Sequence, residues 1–303
     1  MIPLSKTPLV PIQLDTTIPP IWCKLEFLNP SGSTKDRIAR YILQKALRTG
    51  ALSHGSTVIE ASSGSTSIAM ALACAQIGVR FVAVMPEGVS NERVLMIRAY
   101  GGEIHLTPKA GGIQQAIRET ERLGREWNAF LPKQFSNPDN ASAHRVGTAP
   151  EILDQIPGNR VDVVVSGVGT GGTLVGLHSG FADAGCCITP VAARPVDITH
   201  EGDIECCSYS ARIPGVVECV STIFREDLPG LETIEVPGAE AVEITRELIR
   251  RGFPVGPSSG LNYRAAQMAA SRRLPGQPNV VTVLPDRMER YFTTELFRPY
   301  RTE

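Results

Sequence analysis

An α/β fold of two open, mostly parallel sheets covered by helices is what this 303-residue chain predicts. Between about residue 50 and residue 135, short apolar runs alternate with longer helical stretches in the order β-α-β-α-β-α, the pattern of a parallel sheet with helices on its faces. Val161-Asp162-Val163-Val164-Val165-Ser166 is the strongest buried-strand run, and it passes straight into a glycine-rich loop and a helix. A last apolar run, Val280-Val281-Thr282-Val283-Leu284, stops at Pro285-Asp286. The expected division is a smaller α/β unit, residues 29–138, and a larger one, residues 1–28 with 139–303. Their loops are free to face one cleft.

Each element has a local reason. Ile21 to Glu26 alternates as a strand, and the turn Asn29-Pro30-Ser31-Gly32 follows it. A helix then begins at Ser33 or Thr34, with Ser33 and Asp36 at the spacing of a capping box, and closes near Arg48-Thr49-Gly50. Thr57 to Glu60 is a short strand before Ala61-Ser62-Ser63-Gly64-Ser65-Thr66-Ser67, and Ile68 to Ile77 is a small-residue helix closed by Gly78. Phe81 to Met85 and Glu103 to Leu106 are strands; Ser90 to Tyr100 and Ile113 to Trp127 are helices. A polar loop, Gln134 to Asn140, breaks the rhythm before a helix that runs to about Gln155. Thr189 to Ala193 is the next strand, Arg194 to Leu231 reads as irregular, and Ala239 to Gly252 and Leu261 to Arg273 are helices around the loop Pro254 to Gly260.

Composition excludes several classes of function. With 30 basic and 31 acidic residues and no basic block, nucleic acid is not an expected partner. Met1 to Pro20 is proline-rich without a long apolar run, so neither a signal peptide nor a membrane anchor is expected, and the location expected is cytoplasmic. The seven cysteines are odd in number, and Cys186-Cys187 and Cys206-Cys207 are adjacent pairs, not the C-x-x-C of a zinc or redox site. Free thiols in a reducing compartment are expected, with no metal.

Lys35 stands in the first turn of its helix, where exposed N–H groups make a positive potential and a surface helix avoids cations. That field favours the neutral amine, the form that attacks an aldehyde. Gly167-Val168-Gly169-Thr170-Gly171-Gly172-Thr173, between a strand and a helix, lets backbone N–H groups converge on a phosphate. Gly167, Gly169 and Gly172 also satisfy G-x-G-x-x-G, which leaves an NADP-dependent reductase as an alternative, since Arg194 rather than an acid follows about 20 residues on. The Ser62–Ser67 loop offers hydroxyls and N–H groups at a helix start without a cation, which suits a carboxylate; Gly256-Pro257-Ser258-Ser259-Gly260 has the same form. Gln134 could add an amide donor. An imine-forming lysine, a phosphate cradle and a carboxylate cradle are together the requirements of a pyridoxal phosphate enzyme acting on an amino acid.

The order and spacing of Asn29-Pro30, Ser33-Thr34-Lys35-Asp36-Arg37, Ser62 to Ser67, Met85-Pro86-Glu87, Gln134-Phe135-Ser136-Asn137-Pro138, Gly167 to Thr173, Gly256 to Gly260 and Leu284-Pro285-Asp286 resemble the cysteine synthase and cystathionine β-synthase family of fold-type II pyridoxal phosphate enzymes over nearly the whole chain. The resemblance implies a tryptophan synthase β-like architecture, pyridoxal 5'-phosphate as cofactor, a small amino-acid substrate and a homodimer; the chain stops shortly after its last expected elements, so a fused haem or regulatory domain is not expected. It implies that Lys35 is the Schiff-base lysine and proton-transferring base. Gly169, Thr170, Gly171, Gly172 and Thr173 match the phosphate cradle, and Ser258 the partner of the pyridine nitrogen. Ser62, Ser63, Thr66 and Gln134 match positions that bind the substrate carboxylate. The implied reaction is β-replacement on O-acetylserine or O-phosphoserine through an aminoacrylate, with sulfide giving L-cysteine. Ser65 occupies the position where the family carries an Asn to the cofactor's phenolic oxygen, and Ser67 replaces a Gly. That serine variant is similar to cysteine desulfhydrase-like members, which implies β-elimination as an alternative. Arg212-Ile213-Pro214-Gly215-Val216 resembles relatives that make a diaminopropionate precursor with an amine nucleophile. A cofactor-binding but non-catalytic relative is the remaining reading.

Overall fold

The computed structural model describes residues 1, 3–196, 221–224, 226–273 and 278–301. Within them lie nine strands: β1 (Leu9–Ile12), β2 (Ile21–Leu25), β3 (Thr57–Ala61), β4 (Arg80–Pro86), β5 (Glu103–Thr107), β6 (Val163–Gly167), β7 (Thr189–Val196), β8 (Glu232–Pro237) and β9 (Val280–Leu284). The α-helices are α1 (Lys35–Thr49), α2 (Ser65–Ile77), α3 (Asn91–Ala99), α4 (Gly112–Glu126), α5 (Asp139–Ala143), α6 (Ala149–Gln155), α7 (Gly172–Asp183), α8 (Gly238–Arg250) and α9 (Pro257–Ser271).

Two sheets form, as the alternation of elements implies. The three-stranded one, β3-β4-β5, is wholly parallel, with Val58 opposite Phe81 and Val84 opposite His105. The six-stranded one runs β1-β2-β9-β6-β7-β8, and only the β1 edge is antiparallel. Its central strands are buried on both faces, as helix-covered parallel strands must be: Val163, Val164, Val165, Val280, Val281, Val283 and Leu284 are all within the core. The neighbours β2, β9 and β6 are mutually parallel, so their carboxyl ends share one edge. The lysine turn follows β2, Pro285-Asp286 follows β9, and the glycine loop follows β6. Strands remote in sequence thus deliver three loops side by side, in the position where open α/β sheets bind ligands.

Four details depart from the sequence reading. β1 and β8 were not expected. Pro8 precedes and Pro11 interrupts β1, which tolerates proline because it is an edge strand, and β8 alternates exposed Thr233 and Glu235 with buried Ile234 and Val236 on the opposite edge. α2 starts at Ser65 and α9 at Pro257, so Ser65, Thr66, Ser67 and Ser258 belong to first helical turns and not to loops. The helix after Gln134–Asn140 is continuous to Gln155 but contains a π-helical segment, His144–Thr148, between α5 and α6. The expected Ser33–Asp36 capping box is extended: Ser33 Oγ accepts from Lys35 N (3.2 Å) and Asp36 Oδ2 accepts from Ser33 N (3.4 Å), while the same carboxylate also accepts from Ser31 N and Ser31 Oγ (3.1 and 2.7 Å). Asp36 is buried and serves the turn more than the helix end. Arg212–Val216 and Cys206-Cys207 lie outside the described residues. Cys23 and Cys74 are buried free thiols whose pKa values burial raises, Cys74 to about 12, so they act as small core residues.

Candidate active site

The turn that carries Lys35 is fastened on both sides. Gly32 takes a left-handed conformation (φ 81°), and its carbonyl accepts from Arg287 N and Arg290 Nη1, each at 3.1 Å. Thr34 N donates to Pro285 O at 2.8 Å, which ties the start of α1 to the end of β9. Lys35 follows as the first residue of α1.

The glycine loop begins where β6 ends. Gly167 N donates to Asn262 Oδ1 (2.6 Å), and Asn262 Nδ2 donates to Val283 O (2.8 Å), so one buried amide joins the ends of β6 and β9. Gly171 is left-handed (φ 83°), and a β-carbon there would collide with Phe224. Ser221 Oγ donates to Thr170 O at 2.6 Å and fixes the other flank. α7 starts at Gly172, so its free N–H groups and positive end face the loop.

The serine loop turns largely upon itself. Ser62 Oγ accepts from Gly64 N and Ser67 N (2.9 and 3.3 Å). Thr66 Oγ1 donates to Gln134 Oε1 (2.6 Å), and Gln134 Nε2 donates to Ala61 O (2.7 Å). Ser65 Oγ reaches Asp286 Oδ2 at 3.5 Å, and Tyr291 Oη donates to the same oxygen at 2.7 Å.

Behind this loop is a carboxylate that sequence reasoning missed. Glu60 is fully buried at the end of β3 and accepts from Ala61 N (3.0 Å) and Gln134 N (3.1 Å). Burial raises its pKa to about 8, against the pull of the backbone N–H groups of Gln134, Ala61 and Lys133, which favour the anion. A pKa above the unfolded value means that the folded chain holds an extra proton between the two. The stabilisation is complete below about pH 4.5 and fades as pH rises toward 8. The midpoint of thermal unfolding should fall as pH rises from about 4.5 to 8, and Glu60→Gln should flatten that slope; an unchanged slope in the variant would exclude Glu60 as its source. An acidic residue inside an apolar strand has no sequence signal beyond its oddity.

A cavity joins these parts, lined by Ser33, Thr34, Lys35, Ser65, Gly167, Gly169, Thr170, Gly171, Thr173 and Ser258. Seven of the expected residues therefore line one cavity: Lys35, Ser65, Gly169, Thr170, Gly171, Thr173 and Ser258. Gly172 sits just behind Gly171, and Ser62, Ser63, Thr66 and Gln134 lie off the wall at the start of α2. Ser166, Asn262 and Asp286 line the cavity without having been assigned a role from sequence. Only Asp286 had a signal, in the Leu284-Pro285-Asp286 run.

The donors suit a phosphorylated aromatic aldehyde. A lysine stands on one wall, and a helix start with two threonine hydroxyls and tight glycines stands on another. The Thr34 hydroxyl, 4% exposed and on the cavity wall, has no hydrogen-bond partner among the described residues. A buried hydroxyl without a partner costs about 1–3 kcal/mol, a cost that a bound polar group removes.

Comparison with known proteins agrees with this chemistry. The model of a family described as pyridoxal-phosphate dependent enzyme matches residues 2–286. Cysteine synthase B of Campylobacter jejuni is 37% identical over 281 residues, 91% of this chain and 91% of that one. The crystal structure of an O-ureido-L-serine synthase superposes with a TM-score of 0.84 at 32% identity, covering 98% of this chain and 94% of the other. That of an O-acetylserine dependent cystathionine beta-synthase from Helicobacter pylori gives 0.82 at 31% identity, with 97% and 96% covered.

Proposed function

The chain belongs to the pyridoxal-phosphate dependent enzyme family, and from that membership we propose β-replacement on an activated L-serine, O-acetylserine or O-phosphoserine, with sulfide as the nucleophile and L-cysteine as the product. The single observation that carries it is that Lys35, the glycine loop and Ser258 line one cavity. When bound, pyridoxal phosphate draws electron density from the substrate's α-carbon, which acidifies the α-proton and lets a β-substituent leave.

The rest is done by the chain. Lys35 Nζ would hold the cofactor's aldehyde carbon and, when free, would take the substrate's α-proton and return it. Gly169, Thr170, Gly171, Gly172 and Thr173 bind the phosphate through backbone N–H groups and hydroxyls. Ser258 offers the ring nitrogen a neutral hydroxyl. A hydroxyl stabilises a positive ring less than a carboxylate would, so prompt departure of the β-substituent is favoured over a long-lived carbanion. The start of α2, with Ser62, Ser63, Thr66 and Gln134, receives the substrate carboxylate; the helix's positive end supports this role. Ser65, on the cavity lining, would meet the cofactor's phenolic oxygen.

The relatives differ in the group added, as the names cysteine synthase, O-ureido-L-serine synthase and cystathionine beta-synthase show. The first half-reaction is therefore the firmer part, and elimination of a thiol from cysteine or use of an amine nucleophile are the competing second halves. Membership of the family removes the dinucleotide reductase. Residues 29–138 and residues 1–28 with 139–303 are proposed as the two units around the cleft, in a cytoplasmic homodimer; sedimentation tests the dimer.

A donor panel of O-acetylserine, O-phosphoserine, serine and cysteine, followed by absorbance with and without sulfide, tests the reading. A change with one of the first two donors that sulfide reverses, releasing L-cysteine, is expected. A response to cysteine alone, with sulfide released, would replace synthesis by elimination. A bound cofactor that no donor perturbs would mark a non-catalytic relative.

A further inference from the structure

α7 carries Gly172, Gly176 and Gly180 four residues apart on one face, and none of the three has room for a β-carbon. At Gly172 it would strike the Asn140 side chain, at Gly176 Ala141 O and His144 Cβ, and at Gly180 Ala149 Cβ and Arg145 O. The glycine stripe thus seats the helix of residues 139–155 directly on α7, and seats two buried polar side chains, Asn140 and His144, against the phosphate loop.

These two residues are one turn apart, and each meets a threonine of the loop. Asn140 Nδ2 lies 2.8 Å from Gln134 O and 2.9 Å from Thr170 Oγ1. A carbonyl can only accept, so the amide nitrogen must face Gln134, and Thr170 Oγ1 is then the acceptor of the second N–H. Its own proton is left to point elsewhere, and Thr170 lines the cavity. His144 Nε2 is 3.3 Å from Thr173 Oγ1, and its Nδ1 is 2.9 Å from Thr148 Oγ1. Burial lowers the His144 pKa to about 3, so the ring is neutral and carries one N–H. Two arrangements are open to it. In one, Thr148 donates to Nδ1 and Nε2–H donates to Thr173; in the other every bond is reversed and the Thr173 proton is consumed. Only the first leaves Thr173 able to donate to an anion.

We propose that Asn140 and His144 are positioning residues that donate to Thr170 and Thr173 and so turn both hydroxyl protons toward the cofactor phosphate, an inference that rests on the pyridoxal phosphate reading of the cavity. The Asn140 amide also bridges the phosphate loop to the Gln134 backbone, so the same side chain ties the cofactor site to the carboxylate subsite.

Affinities of the apoprotein for pyridoxal phosphate and for pyridoxal, read by visible absorbance, test it. Gln places its amide nitrogen near the position of Nε2, whereas Asn can replace only Nδ1. His144→Gln should therefore keep phosphate-dependent binding, and His144→Asn and Asn140→Asp should weaken pyridoxal phosphate by about tenfold to hundredfold, the worth of one charge-assisted hydrogen bond. Pyridoxal binding should change by less than about twofold. Equal weakening of both compounds, or no difference between the two His144 variants, overturns the proposal, and the His144 pair decides the matter if Asn140→Asp fails to fold. Nitrogen NMR of the wild-type chain should show His144 protonated at Nε2; protonation at Nδ1 overturns the His144 half. A wild-type chain that develops no band with either compound would overturn the cofactor assignment itself, a failure distinct from these.

Discussion

Lys35→Ala is expected to lower kcat by about 10³-fold or more and to erase the visible absorbance of the lysine-bound cofactor. The loss is large because one nitrogen performs two duties, holding the cofactor and moving the substrate's α-proton, and no second lysine lines the cavity among the described residues. The fold should survive. Lys35 is half-buried, and the turn is fastened by Gly32, Thr34 and Asp36 through contacts that do not involve its side chain. Lys35→Arg should fail equally, since a guanidinium neither forms an imine nor gives up its proton near neutral pH. Solvent deuterium exchange at the substrate α-carbon separates the two duties, and should vanish in both variants. Retention of the band, or of exchange, in Lys35→Ala would remove Lys35 from the mechanism.

Arg37→Met should destabilise the protein by about 3–5 kcal/mol, read as a shift of the denaturant midpoint. Arg37 lies two residues beyond Lys35, and its guanidinium joins two carboxylates. Nε and Nη2 bind Glu26 (2.5 and 2.7 Å), and Nη1 and Nη2 bind Glu151 (both 2.8 Å). Lys24 Nζ closes the network on Glu151 at 2.9 Å, Thr7 Oγ1 donates to Glu26 Oε1 at 2.6 Å, and Asn29 Nδ2 donates to Glu26 Oε2 at 3.0 Å. Lys24 and Glu26 are 0% exposed. Removing Arg37 therefore strands an anion away from water, whereas the double change Glu26→Gln with Arg37→Met removes both charges and should recover much of the loss. The cluster joins β2, the lysine turn, α1 and α6, so the turnover of Arg37→Met should fall along with its stability.

Glu26 also sets an acid limit. Burial by itself would raise its pKa, but the charge and hydrogen bonds of Arg37, with the Thr7 hydroxyl, bring it down to about 2. A depressed folded-state pKa contributes stability that is present above the unfolded value of 4.5 and is lost as pH falls toward 2, on the order of 3 kcal/mol in all. Acid unfolding of the wild-type chain should begin in that window. The Glu60 contribution runs the other way, so stability is expected to be greatest between the two ranges.

Much of the site could be read from local chemistry. Lys35 stood out because a cation in a first helical turn breaks a rule, and the Gly167–Thr173 loop because so many glycines after a buried strand have few other uses. Glu60, Asn140 and His144 were not readable in this way. A buried acid in a strand, or an Asn and a His one turn apart on a helix, looks like ordinary composition until its partners are known. Those partners are Gln134, Thr170 and Thr173, which the chain separates by 74, 30 and 29 residues. The edge strands β1 and β8 were hidden by prolines and glutamates, because edge position relaxes the very pattern by which strands are found.

By itself, the sequence determined the alternation of strands and helices, the turn chemistry after each strand, and hence which loops could hold a lysine, an anion and a carboxylate. These depend on period and on near neighbours, which a linear chain carries in full. Only the tertiary structure decided that β2, β9 and β6 lie side by side and parallel, so that Lys35, Asp286 and the glycine loop surround one cavity. Strand order is set by which apolar faces bury one another across gaps of more than a hundred residues, and no local pattern encodes that choice.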